Sequence, residues 1–328
     1  MRRGKNNRKA DVLVVVSLFL QTHVELASSL SAQYRRSILR PWGEGPVLGW
    51  CHEQRHLEED LLGISICFGE KEATDEGSTT TVLDLVLPDL GEDGGLSTQL
   101  WPSSIAASIL FQSPSFQEYL SDKHILELGS GLGLAGLAAG SGNAHSCILS
   151  DMDQETVDFL EKTAKLNDEV LNPDKFKSKV LDWRDSHEEA EPVDLIIGAD
   201  IAYYFYLLRP IMDTIQAYQS KNNKNQALVL GQANRESQWD LYKNIRDGCY
   251  NQLTDEQEPP WPGTTKMLLY KLEMTRWVEN LDDFESSSDG SIPIGLIVHH
   301  NEGIDFPKFT TYDHVATEED DESMMKTF

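Results

Sequence analysis

The sequence predicts an α/β fold: a mostly parallel sheet with helices on both faces, preceded by an N-terminal β-hairpin extension. Three observations carry that prediction. From residue 124 onward, short apolar runs alternate with amphipathic segments at the spacing of right-handed βαβ units. Residues 193–199 are apolar except for Asp194, as a strand buried on both faces requires. Residues 124–136, HILELGSGLGLAG, read as a buried strand, a tight glycine turn and the start of a helix. Glycines at alternate positions let that turn adopt unusual φ angles and approach a ligand closely. The helix behind it points unpaired N–H groups at whatever occupies the crevice.

The elements follow in order. Residues 1–40 form a basic extension, with eight Lys or Arg against two acids. A basic start, an apolar run at 12–20 broken only by Ser17, and small residues at 27–29 have the form of a targeting segment. The run is too short to span a membrane. A cytoplasmic location with an extended N-terminus is the simpler expectation; organellar or secretory targeting is its alternative. Residues 41–95 hold the hairpin: β-branched and apolar runs at 62–68 and 79–87 flank a charged loop at 70–78, and a loop at 88–95 follows. Pro102 suits a helix's first turn, with one apolar face at 105, 106, 109 and 110. Trp101 reads as a core anchor there, or as a lid over a ligand.

After the glycine turn, strands are expected at 146–150 (ending in Asp151), 178–183, 193–199 and 227–230. Helices are expected at 154–166, 203–218 (with Pro210 a kink) and 236–247. Of three later strand candidates, 249–253, 266–274 and 292–300, the first two are expected to close the sheet. Residues 96–275 thus make the main domain and 276–328 a C-terminal extension. The extension has a Ser- and Asp-rich linker at 282–290 and an acidic, solvated tail at 318–322.

Charge limits the partners. The 328 residues carry 54 acidic and 28 basic side chains, a net of −26. Such a chain repels nucleic-acid phosphates and attracts basic partners, including lysine-rich protein segments. Four scattered cysteines with no C-x-x-C argue against a zinc site and for reduced thiols. Oligomeric state is not legible.

The glycine turn is followed, 22 residues after Gly129, by Asp151. A carboxylate there can accept both hydroxyls of an adenosine ribose. The dehydrogenase spacing G-x-G-x-x-G fits only from Gly131, two residues after the turn begins, and no P-loop is present. Glu127, two residues before the first glycine, disfavours a pyrophosphate and favours a cofactor with an ammonium group. S-adenosylmethionine fits: it has an ammonium, a sulfonium and no phosphate.

With these residues in view, the chain resembles the seven-β-strand protein-lysine methyltransferases, the group that includes calmodulin-lysine and chaperone-lysine methyltransferases. Four motifs coincide in order across about 96–218, with further support to about 274: LWPSS, ELGSGLGLAG, the Ser150-Asp151 strand end, and LDW followed by GADIAYY. The D-x-x-Y from Asp200 to Tyr203 is the most selective of them. The resemblance implies a Rossmann-like seven-stranded sheet and a protein substrate with an accessible lysine. Gly129, Ser130 and Gly131 would pass under the methionine part of the cofactor and Asp151 would hold the ribose. Trp183 would lie against the adenine, with Asp182 accepting from its amino group. Ala199 would flank the cofactor, and Trp101 would close over it. For either tryptophan the plain alternative is a core residue.

Methyl transfer is an in-line displacement, so the lysine must arrive neutral and aligned; its amine titrates near 10.4 in water. Asp200, at the end of a central strand, is expected to orient the ammonium and Tyr203 to shape the channel. The structural alternative for Asp200 is an N-cap of the segment around Tyr203. Enzymes acting on amides or base amines commonly carry Pro-Pro here; this chain has Ile-Ala. A small-molecule methyltransferase and a non-catalytic cofactor-binding module are the rival readings.

Overall fold

The computed structural model describes residues 33–41, 48–58, 61–68, 81–87, 97, 99–188, 190–221, 226–251, 255–275, 288–300 and 314–327. The basic-apolar segment, the loops at 70–78 and 88–95 and most of the 282–290 linker lie outside those residues. The chain opens with a four-stranded antiparallel meander: β1 (Gln33–Pro41), β2 (Leu48–Glu58), β3 (Leu61–Phe68) and β4 (Thr81–Leu87). β3 and β4 are the expected hairpin. β1 and β2 were not expected, and β1 begins inside the stretch assigned to the basic extension.

Helices α1 (Pro102–Phe111) and α2 (Pro114–Leu120) lead into the alternating part. There follow β5 (His124–Leu128), α3 (Leu134–Gly140), β6 (Ser146–Asp151), α4 (Gln154–Leu166), β7 (Phe176–Val180) and β8 (Leu195–Ala199). Then come α5 (Phe205–Gln219), β9 (Gln226–Gln232) and α6 (Glu236–Asp247). A small ribbon of β10 (Tyr250–Asn251) and β11 (Glu256–Gln257) precedes β12 (Thr264–Thr275), β13 (Ser288–His300), β14 (His314–Val315) and α7 (Glu318–Thr327).

The main sheet runs β4-β3-β2-β1-β12-β13-β9-β8-β5-β6-β7, with β14 pairing to β12. Strands β5 to β9 are mutually parallel, and β13 is antiparallel to both neighbours. The expected seven-stranded, mostly parallel unit is therefore β7-β6-β5-β8-β9-β13-β12, and the meander continues it through β1.

Two sequence expectations are corrected. Residues 249–251, the described part of 249–253, do not enter the main sheet; β13 does, inserted between β9 and β12. An inner strand must be apolar on both faces. Ile294, Leu296, Ile297 and Val298 meet that demand by being fully buried, whereas Tyr250 is 57% exposed. Residues 318–322 open α7 rather than forming a tail without structure, although Glu318, Glu319 and Glu322 are exposed to solvent as expected. Thr317 Oγ1 accepts from the Asp320 N–H while Asp320 accepts from the Thr317 N–H, a reciprocal capping box. The acids stand at the helix's positive end, Asp321 pairs with Lys243, and Met324 is buried.

Alternation along each strand separates two cores. Ile125, Leu195, Ile197, Leu228 and Leu230 face one side with α1, α3 and α4, joined by Leu39, Leu83 and Leu85 of the meander. Leu126, Leu128, Ile196, Ala227 and Val229 face the other with α5 and α6. α1 is buried all round rather than on one face, since α3 and the meander both cover it. The strands' carboxyl ends meet one cavity of about 600 Å³.

Candidate active site

The glycine turn forms as its spacing requires. Gly129, Gly131 and Gly133 have φ of +62°, +51° and +83°, a region that costs other residues strain. A Cβ on Gly129 would lie 2.9 Å from the Trp183 ring and 3.0 Å from Ile201 Cγ2. The turn is pinned to the end of β6 from both sides. Ser130 N–H donates to the Ser150 carbonyl (2.8 Å), and Ser150 N–H donates to Ser130 Oγ (2.9 Å).

Three carboxylates stand around this turn, each in a different state. Glu127, on β5, is 2% exposed, and its Oε2 has no hydrogen-bond partner. Burial pushes its carboxyl up to about 8, against the pull of Ser130 and the Gly136 backbone. Gly136 lies close against it: a Cβ there would come within 2.3 Å of both Oε2 and Leu149 Cδ2, so these side chains would have to shift. Asp151 accepts from the Gly131 N–H at 3.0 Å and from the Met152 N–H at 2.8 Å. Burial moves it up, and those N–H groups oppose the shift. Asp182 is gripped by a bidentate fork from Arg184, whose hydrogen bonds hold its carboxyl below the ordinary value. Next to it, the buried Trp183 Nε1 has no partner.

Asp200 follows β8 with φ of +57°, an uncommon conformation for a residue with a side chain. Its Oδ2 accepts from the Ser103 N–H at 2.9 Å. Asp200 therefore caps α1, not the segment around Tyr203; α5 instead begins at Tyr204, which supplies no side-chain cap. Its Oδ1, buried and without a hydrogen-bond partner, lies 3.5 Å from Arg235 Nη1. Burial raises the Asp200 carboxyl, and the Ser103 N–H and Arg235 charge oppose the rise. Burial also raises the half-buried Tyr203 phenol.

The cavity wall includes Trp101, Glu127, Gly129, Ser130, Gly131, Asp151, Asp182, Trp183, Ala199, Asp200 and Tyr203, so every residue singled out from the sequence reaches one space. Met152, Ile201, Tyr204, Tyr206 and Arg235 join them and were missed. Arg235, at the start of α6, also lies over the Trp101 ring, 5.8 Å from its centroid. The rule that ligands gather beyond strand carboxyl ends, which singled out Asp200, applies equally to the turn after β9 and would have found it. Among the described residues no cluster of His, Cys, Asp or Glu could hold a metal ion, and no helix is long and apolar enough to cross a membrane.

Comparison with known proteins places this cavity inside a matched region. A family model described as lysine methyltransferase matches residues 82–247, half of the chain. The chain is similar to a calmodulin-lysine N-methyltransferase of Arabidopsis thaliana, 26% identical over 172 residues. That match covers 51% of this chain and 55% of the relative, so the chain spans about half of that relative's length. It is also similar to the protein N-lysine methyltransferase METTL21A of Xenopus tropicalis, 25% identical over 168 residues, covering 49% and 75%. Among solved structures, a precorrin-6y C5,15-methyltransferase of Geobacter metallireducens matches with a TM-score of 0.41 at 8% identity, covering 61% of this chain and 86% of that one. A likeness that distant bears on no functional question.

Proposed function

The chain belongs to the lysine methyltransferase family, and from that premise we propose that it moves a methyl group from S-adenosylmethionine to the side-chain amine of a protein lysine. The observation that carries the proposal is the meeting, in one cavity, of the glycine turn, the buried carboxyls of Glu127 and Asp200 and the Trp183 ring. Those groups fit the cofactor chemically. The buried Glu127 oxygen suits an ammonium and opposes a phosphate. Gly129 and Gly131 leave backbone, not side chain, beneath the methionine part, and Ser130 fixes their position. Asp151, with both oxygens already oriented by loop N–H groups, offers its remaining lone pairs to a ribose. Trp183 supplies a flat wall for the adenine, and Asp182, steadied by Arg184, an acceptor at its edge. Trp101 covers the site from the α1 side, and the small side chain of Ala199 leaves its flank open.

Bound there, the cofactor supplies a sulfonium-activated methyl group. The chain's own work is to present a neutral amine in line with it. In this reading the Asp200 carboxylate orients the incoming lysine, and Tyr203 walls the approach. A carboxylate alone would raise the amine's pKa and keep it charged; the Arg235 guanidinium beside Asp200 offsets that effect. The proposal includes a cytoplasmic location, a protein substrate with an accessible lysine and no nucleic acid. It is supported by free Cys147 and Cys249 and by the net charge of −26.

The test is transfer of labelled methyl from S-adenosylmethionine to proteins of a cell extract, with wild type beside Asp151→Ala and Asp200→Ala. One discrete protein band lost in both variants is the expected result. Label confined to small molecules or RNA would sink the lysine assignment.

A further inference from the structure

Four consecutive aromatic residues, Tyr203 to Tyr206, open α5 at the cavity mouth. Tyr203 packs partly against the core, but the fold does not need Tyr204, Phe205 or Tyr206 there. The buried face of α5 begins at Leu207, while Tyr204 and Tyr206 are 47% and 71% exposed. Tyr204 occupies the N-cap, where Ser, Thr, Asn or Asp would hydrogen-bond the helix's first N–H groups, and makes no such bond. The rings are nonetheless ordered against one another. Tyr203 and Tyr204 meet edge to face at 4.8 Å, and Tyr204 and Tyr206 stack at 5.3 Å with 16° between their planes. All three line the cavity, as does Met152, which is 58% exposed. A contiguous exposed apolar ledge rimmed by charge marks a binding surface.

Charge selects the occupant. The same cavity is lined by Asp151, Asp153, Asp182 and Asp200 against only Arg184 and Arg235, and each arginine is held by one of those aspartates; Glu127 joins them, with its carboxyl raised to about 8 by burial. The whole chain carries −26. An aromatic ledge beside Asp151 and Asp153, which neither of these arginines pairs, attracts ammonium groups and the aliphatic stems that carry them.

We propose that the Tyr203–Tyr204–Tyr206 ledge is the docking subsite for a lysine-rich segment of the substrate protein next to the lysine that is methylated. This rests on the lysine methyltransferase reading and adds to it the residues that choose the substrate. The rings receive the flanking lysine side chains along the cavity mouth while the target lysine passes Tyr203 toward Asp200.

A fluorescein-labelled eight-residue peptide of alternating Lys and Gly serves as probe, with a Glu and Gly peptide as its acidic counterpart. Anisotropy titrations compare wild type, Y204A/Y206A and Y204F/Y206F, with and without S-adenosylhomocysteine. The exposed positions of both tyrosines leave the fold intact, which thermal melting checks. The alanine pair is expected to bind the Lys peptide about tenfold more weakly, the size of two exposed cation–π contacts. The phenylalanine pair, keeping the ring faces, is expected to stay within about twofold of wild type. Equal binding by wild type and the alanine pair would overturn the proposal, because net charge alone would then account for the affinity. So would failure of wild type to bind, or a change in self-association of the alanine pair by sedimentation, which would make a second copy the occupant. Titration with S-adenosylhomocysteine alone reports the methyltransferase reading separately, since loss of that binding leaves the peptide comparison unchanged.

Discussion

At the scale of single residues, Glu127 is the group whose chemistry depends most on what fills the cavity. Burial pushes its carboxyl up to about 8, so at pH 7 the protonated form dominates. A cationic ligand group at Oε2 favours the ionised form, so binding expels a proton. Calorimetric titration with S-adenosylhomocysteine in buffers of different ionisation enthalpy is expected to show net proton release at pH 7. Glu127→Gln should lack the part of that release owed to this carboxyl, and wild-type affinity should climb relative to the variant as pH rises toward 8. The sign for stability is opposite. A pKa raised on folding gives stability that is complete below the unfolded value of 4.5 and is lost as pH rises through about 8. Glu127→Gln should therefore remove part of the protein's loss of stability across that window, as read by urea unfolding, without added cofactor, at a series of pH values.

At the scale of elements, Asp200 joins three of them: it ends β8, caps α1 through the Ser103 N–H, and faces Arg235 at the start of α6. Its two oxygens allow the structural and chemical roles to be separated. Asp200→Asn keeps an oxygen able to accept from Ser103 while removing the charge, whereas Asp200→Ala removes both. Loss of an N-cap costs about 1 kcal/mol. The alanine variant should lose roughly that much in urea unfolding and the asparagine variant distinctly less, while methyl transfer falls in both. Equal destabilisation of the two would show that the cap is not what Asp200 contributes to the fold. The elements bearing this site were the most legible in the sequence. Strand, turn and helix signals from 124 to 247 depend on local periodicity, so α4 and α6 appear with the bounds their apolar spacing implies. α2 was missed because seven residues are too few for a periodic signal, although Pro114 stands at its first turn. Arg235 was missed for a different reason. It belongs to no motif, and only the fold brings the start of α6 against the start of α1.

At the scale of the whole molecule, what the sequence hid was non-local. Whether 249–253 or 292–300 closes the sheet depends on which run fits between β9 and β12, and no local feature of either run contains that pairing. The meander is the larger case. The hairpin of β3 and β4 is legible because turn chemistry separates two apolar runs, but β1 reaches across more than 200 residues to pair with β12. That pairing argues that the N-terminal strands are part of the main fold rather than an appendage. Leu39 of β1 is fully buried, lies opposite the fully buried Leu272, and belongs to the same core as Ile105 and Leu137. A Leu→Ala truncation in such surroundings costs roughly 2–5 kcal/mol. If the meander and the methyltransferase sheet unfold as one unit, tryptophan fluorescence and far-UV circular dichroism should give coincident urea transitions. Leu39→Ala should then shift both transitions together by that amount and lower S-adenosylhomocysteine binding only near its unfolding midpoint. Two separable transitions, with Leu39→Ala moving one and leaving cofactor binding tied to the other, would make the meander an independent module despite its hydrogen bonds to β12.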